Sequence, residues 1–401
     1  MSTLNHQKIV NVTASVDSVH GLVLRNTGGY IYEDRANSKP SVVFRTSNMA
    51  LLNALTLKLM AGNLGAVVEL AFAPNMTVEG QYLLDIFVPT NSLQYLQTDQ
   101  GGDTIVAPRV LSANASRPIS ISSFGMGSVV VEESVVLASR LVVESRGSSR
   151  VQLNVARSVS AESVDLSTTS LGSIALLANS TTTKHLSAVS AGSGSVYMGS
   201  PATKTTTKTT PVSLNATSLT AKTYGDGNVV FLDAGTCQGS DIQTSGHGSV
   251  YMHLVRCQNS NVVILGTGNT YLTTTGLLRV QDSELGTVFA TGGATVTGSV
   301  MVMPPSVPVP PYVPMVEPAR SPRTIRLVAK TTTARPATTL PAKSTGADAS
   351  LWFGLVLGLS AVILIACIVR KVRAKRGVQM QLKAFTEAST PVATNQVVLH
   401  F

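Results

Sequence analysis

The most specific chemistry available to this chain lies in two of its three cysteines. Cys237 and Cys257 open matched phrases, Cys237-Gln-Gly-Ser-Asp-Ile242 and Cys257-Gln-Asn-Ser-Asn-Val262. Neighbouring strands place paired Cα atoms about 4.5–5.5 Å apart, within disulfide reach. Stacked in register in an oxidising compartment, the pair forms a disulfide. The other reading is two stacked, small, apolar thiols. Cys367 lies inside a long apolar run and is either a palmitoylation site or an ordinary membrane residue.

Catalytic patterns are sparse. There is no Gly-x-Ser-x-Gly elbow. Of six histidines only His247 and His253 lie close in sequence, which gives no metal-ligand spacing. Acidic residues are too scattered for the paired carboxylates of a β-helix glycosidase. Gly225-Asp-Gly-Asn lacks the repeated aspartate of a calcium-binding array. The expectation is therefore no enzyme, no metal and no cofactor. Five Asn-x-Ser/Thr sequons, at Asn11, Asn75, Asn114, Asn179 and Asn215, permit N-glycosylation; a chain this rich in Ser and Thr yields about that many by chance.

The cysteine spacing belongs to a repeat. Gly-x-Gly, then Ser or Asn, then an alternating apolar strand recurs at Gly125–Val131, Gly192–Met198, Gly225–Phe231, Gly246–Met252 and Gly266–Leu272. Weaker copies start at Gly172 and Gly286, and a degenerate one spans Gly147–Leu153. A period near 20 built from turn plus strand predicts an all-β fold, a right-handed parallel β-solenoid or β-helix-like stack. Glycine is expected to supply positive φ at the corner. The Thr/Lys-rich stretch Pro201–Pro211 reads as a loop inserted into one repeat.

Strand alternation assigns faces. Val129, Ile174, Val196, Val229, Val250, Thr270 and Val288 form one inward column, and Val131, Leu176, Met198, Phe231, Met252, Leu272 and Ala290 another. The column between them, Val130, Ala175, Tyr197, Val230, Tyr251, Tyr271 and Phe289, is expected to face out. Its Tyr197, Tyr251, Tyr271 and Phe289 form a candidate recognition stripe for sugar or protein. The alternative is β-favouring side chains filling a half-exposed strand face.

Composition divides the chain. Residues 1–110 read as a region of short strands continuous with the solenoid, with one turn of helix between Met49 and Leu59. Residues 111–303 are the repeats. Residues 304–349 are a Pro/Thr-rich stalk whose proline density favours extended chain and prevents packing, with Ser/Thr available for O-glycosylation. Leu351–Val369 is uncharged for nineteen residues, about 28 Å of helix and enough to cross a bilayer. It defines a transmembrane helix at 350–370 followed by a cytosolic tail at 371–401. Arg370, Lys371, Arg373, Lys375 and Arg376 form the cytosolic flank. Gly354 and Gly358 offer a weak homodimer seam within the span.

Charge agrees with this division. Residues 304–401 hold 12 of the 30 basic and 3 of the 21 acidic residues, so they carry the whole net charge of +9. The remainder is neutral, which argues against a nucleic-acid face. The expected location is the plasma membrane, single-pass, with the N-terminal domain extracellular. Met1–Val10 lacks an apolar run of signal-peptide length. Three accounts compete: an upstream N-terminus, a reverse signal anchor, or a cytosolic β-domain. The first is preferred, because the second must translocate a long N-terminal domain and the third places the basic flank on the wrong side.

The run Leu83-Leu-Asp-Ile-Phe-Val-Pro89, then Leu93-Gln-Tyr-Leu-Gln-Thr98 and Gly101-Gly-Asp-Thr-Ile-Val106, resembles the GIN domain family, described as candidate autotransporter adhesin heads. The resemblance covers roughly residues 10–300. It implies a β-helix-like stack and an adhesive role for the ectodomain, toward a protein or glycan surface. It supplies no catalytic residues. The chain departs from the family in carrying Ser or Asn where Asp is common, and in its stalk and membrane anchor. The rival expectations are a carbohydrate-binding or wall-acting β-helix enzyme, and a purely structural surface protein.

Overall fold

The computed structural model describes residues 4–12, 19–62, 65–73, 76–200, 213–281 and 285–328. These form a β-solenoid of about nine turns. The first inward column stacks in register throughout: Val129 pairs with Val151, Val151 with Ile174, Ile174 with Val196, and the series continues through Val229, Val250 and Thr270 to Val288. The degenerate copy at Gly147–Leu153 is thus a full rung. Parallel pairing also runs toward the N-terminus, from Val129 to Thr104 and from Ser120 to Tyr95. Both inward columns are buried except Ala290, which is partly exposed near the end of the stack.

The N-terminal region breaks the parallel rule and closes that end. Leu55–Gly62 pairs antiparallel with Gly65–Phe72, and Ser41–Thr46 pairs antiparallel with both His6–Asn11 and Val78–Pro89. Between them sits the expected helical turn, Met49–Ala54, capped by the Asn48 side chain accepting from the Ala50 amide. Its Leu51 and Ala54 complete the core at the end of the stack.

The repeat phrase has a physical reason at each position. The second glycine is required by space rather than by φ. A Cβ on Gly194 would lie 1.7 Å from the Gly172 carbonyl oxygen, and on Gly227, Gly248 or Gly268 it would lie 2.0 Å from the carbonyl oxygen of the glycine one rung below. Among the repeat's glycines only Gly125 and Gly147 have positive φ, so the expected left-handed corner is confined to those two rungs. The close approach lets the corners hydrogen-bond to one another. The amides of Gly227, Gly248 and Gly268 donate to the carbonyls of Gly192, Gly225 and Gly246 at 2.8–3.0 Å.

The Ser or Asn that follows forms a second ladder. Ser195 Oγ accepts from the Asn228 amide at 2.9 Å, Asn228 Oδ1 from Ser249 at 2.8 Å, Ser249 Oγ from Asn269 at 2.9 Å, and Asn269 Oδ1 from Thr287 at 3.0 Å. The position needs a short side-chain acceptor, and Ser, Asn and Asp all supply one. Asp103 does the same for the Ser128 amide.

The proline-rich segment departs from expectation. Residues 303–322 lack regular structure but lie against the solenoid, and Arg323–Leu327 adds an antiparallel strand to Val78–Pro89. The stalk therefore does not begin at residue 304. Proline removes backbone donors but leaves carbonyls and side chains free to bind, so an extended segment still packs where a surface offers partners. The predicted membrane span, with Cys367, Gly354, Gly358 and the basic flank, lies outside the described residues, as do Asn75 and the 201–211 insertion. Among the described residues no helix is long and apolar enough to cross a membrane.

The close approach at the corners gives a paired test. Gly248→Ala forces a Cβ onto a carbonyl and should lower stability by about 2 kcal/mol or more. Gly239→Ala meets nothing within 4 Å and should change stability by less than about 1 kcal/mol. Denaturant unfolding of the two variants measures the difference.

Candidate functional site

Cys237 and Cys257 are register partners on the strands Gly235–Thr244 and Val250–Ile264, with Cα atoms 4.4 Å apart, and they form a disulfide. Both are buried in the solenoid core. Burial makes this a staple between rungs rather than a reactive redox pair.

The candidate recognition stripe is a ladder, but not an open one. Tyr197 pairs with Val230, Val230 with Tyr251, Tyr251 with Tyr271 and Tyr271 with Phe289. The rings of Tyr251 and Tyr271 stack at 5.0 Å, and so do those of Tyr271 and Phe289. Tyr251 is only 8% exposed and Tyr271 5%. The column does point away from the central core. It is covered by Met303, Val307 and Val309 of the returning segment, which makes a second, separate apolar cluster. The expectation that these rings are free to meet solvent is corrected by this strap.

The same column continues to the other end of the stack. Through Ala175, Gln152, Val130 and Ile105 it reaches Tyr30 and Asp85, each paired with the next. The strap follows it in reverse. Tyr312 packs on Tyr197 with ring centres 4.9 Å apart, and its hydroxyl hydrogen-bonds Gln152. Gln152 accepts from the Met315 amide at 2.7 Å and donates to the Met315 carbonyl at 3.2 Å, while Arg150 donates to the Val313 carbonyl at 2.8 Å. The Tyr30 hydroxyl donates to the Ala319 carbonyl and faces the Ser321 amide. Arg320 makes a two-pronged contact with Asp85 at 3.0 and 2.6 Å, and Arg45 donates to the same carboxylate at 2.5 Å.

Asp85 is 1% exposed, so its charge is stable only because two guanidinium groups meet it. Removing Arg320 leaves a buried carboxylate with one partner. Burial against the solenoid face beside Tyr197 pushes the Tyr312 hydroxyl up to about 12. Sequence reading missed Gln152, Tyr312, Arg320 and the role of Asp85. One signal was present: an aspartate inside the apolar run Tyr82–Val88 requires a buried partner.

Among the described residues, a different face is left uncovered. A shallow groove of about 420 Å³ crosses successive rungs, with Ser160, Thr182 and Asn215 stacked in register and a Glu162–Lys184 ion pair at 2.8 Å beside them. Lys184 holds the Glu162 carboxyl below its usual range. Of the sequons, Asn11, Asn114, Asn179 and Asn215 are exposed. Asn114 already accepts from the Ser116 amide, and Asn179 donates to the Ala156 carbonyl. Buried Glu133 accepts from the amides of Arg109, Val110 and Leu111 at 2.9–3.1 Å and so braces a loop. His247 pairs with Asp226 rather than with His253. Among the described residues no cluster of three or more metal-ligating side chains forms.

Two measurements check this geometry. Unreduced peptide mapping should link residues 237 and 257, and Cys237→Ala with Cys257→Ala should cost about 2–4 kcal/mol in unfolding. Tyr312 is neutral in the docked strap and its pKa is raised, so its contribution to docking is full below pH about 10 and is lost as pH rises through about 12. Titration of tyrosinate absorbance should show this late ionisation, and Tyr312→Phe should remove it.

No protein-family model matches the chain, and no curated protein matches it. Among solved structures, a candidate adhesin from Parabacteroides distasonis is 11% identical, with a TM-score of 0.39, covering 74% of this chain and 93% of its own. A candidate adhesin from Parabacteroides merdae is 13% identical at a TM-score of 0.39, covering 73% and 96%. A candidate lipid-binding protein from P. distasonis is 14% identical at a TM-score of 0.42, covering 73% and 98%. Likeness at these values assigns no function.

Proposed function

We propose that this chain is a single-pass surface protein whose β-solenoid serves as a non-catalytic adhesion or interaction module. The observation that carries the reading is the open groove. Hydroxyl and amide groups of Ser160, Thr182 and Asn215 repeat there at the rung spacing, about 4.8 Å, on a backbone fixed by ladder hydrogen bonds. A rigid row of donors and acceptors with small neighbours suits a hydroxyl-rich partner such as a glycan chain, or an extended protein segment. The aromatic column is the weaker candidate for the contact face, because the strap covers it.

Location is supported by the apolar run Leu351–Val369 with its basic flank, and by a disulfide that suits an oxidising compartment. The resemblance of residues 83–106 to the GIN family supports an adhesin-like head, and the right-handed coil expected for such a stack belongs to the same reading. The glycosidase alternative requires two carboxylates across one groove. The lining residues include one, Glu162, already paired with Lys184.

Protease added to intact cells should remove the solenoid and spare the tail after residue 371; a fully protected solenoid contradicts surface display. Binding of the full chain to glycan arrays and to cells tests the groove. Thr182→Arg should fill it and reduce binding at least tenfold with no loss of thermal stability. Unchanged binding moves the contact face elsewhere.

A further inference from the structure

The strap is bound by its own body as a peptide ligand is bound, and this has a consequence for assembly. From Tyr197 to Tyr30 the column takes five ladder steps, about 24 Å. The strap covers nearly that distance between Tyr312, on Tyr197, and Ala319 to Ser321, on Tyr30. Eight residues at the polyproline rise of about 3.1 Å span about 25 Å. The body thus grips an extended, proline-rich chain through stacked rings, backbone-directed polar groups and one charge pair, a recurrent mode of proline-rich recognition. Every group that grips the strap lies on the body, and the strap is joined to it only after the short strand Met301–Val302.

We propose that this face accepts the strap of a second copy, giving a closed dimer by reciprocal exchange. The contacts are the same in cis and in trans, so exchange costs little beyond association, and a two-fold arrangement satisfies both acceptors. The link carries Pro304 and Pro305. Proline's fixed φ favours extended continuation over the reversal that cis docking requires. The end of the stack where the strap departs also exposes apolar side chains, with Met301 57% and Val302 88% exposed, and a neighbour sharing straps would cover them. The inference stands whether or not the chain is membrane-bound.

The test uses the full chain in detergent, with Cys367→Ser to remove the thiol outside the disulfide. Glu79 and Arg326 are antiparallel register partners near the chain's surface. Glu79→Cys with Arg326→Cys therefore reports strap docking as a cross-link. Equal amounts of nitrogen-15-labelled and unlabelled double variant are incubated together and then oxidised. Cross-linked 79–326 peptides of mixed isotope should appear and rise with concentration toward about half of the total. Only same-isotope peptides at every concentration overturn the exchange. Absence of any cross-link, also in the second pair Gln81→Cys with Thr324→Cys, overturns the docked strap itself. Mixing after separate oxidation must give no mixed peptides; if it does, disulfide scrambling explains them and the proposal fails.

Discussion

Backbone hydrogen bonding between rungs, repeated at about 4.8 Å, is the constraint on which the rest of this molecule depends. A parallel stack has no local turn to set its register, so each rung must reproduce the geometry of the one below. That demand reaches the corners. Two chains can cross there at hydrogen-bonding distance only if the crossing residue lacks a Cβ, and the contact distances at Gly194, Gly227, Gly248 and Gly268 show how little room remains. The next residue carries an oxygen that receives the following rung's amide, from Ser195 through Asn269. Corner and ladder together pair backbone groups at each turn, which lets the described residues bury a continuous core with one short helix.

A stack of this kind has outward faces as well as a core, and their fates differ. The face running from Asp85 to Phe289 carries apolar and aromatic side chains along much of its length, too much to leave in water. The chain returns along it and seals it. Apolar contacts anchor the strap at one end, a carboxylate held by two arginines anchors it at the other, and Gln152 fixes its middle. The groove face carries small polar side chains, which need no cover. Sequence thus sorts the two faces by their hydration cost.

Local periodicity made much of this legible before any coordinates. The Gly-x-Gly phrase marked the rungs, the alternation after it picked out the buried columns, and the spacing of Cys237 and Cys257 gave the disulfide. Distance in sequence hid the remainder. Alternation says that Tyr251 points away from the core, but not whether solvent or protein lies there. The answer comes from residues some fifty positions later that composition marks as a linker. The pairing of Asp85 with Arg320 spans 235 residues, and no pattern near either residue names the other. The corner glycines were recognised correctly and explained wrongly, because crowding between rungs is invisible in a single rung.

The central claim is that residues 303–327 belong to the folded body and seal its aromatic face. Hydrogen–deuterium exchange on the full chain tests it most directly. If the claim holds, amides of 323–327 exchange slowly together with their partners at 78–82, and peptides from the adjoining rungs of Tyr251 and Tyr271 gain exposure when Arg320→Ala and Tyr312→Ala loosen the strap. Exchange of residues 303–327 at the rate of an unstructured peptide, while the rungs stay protected, would contradict it.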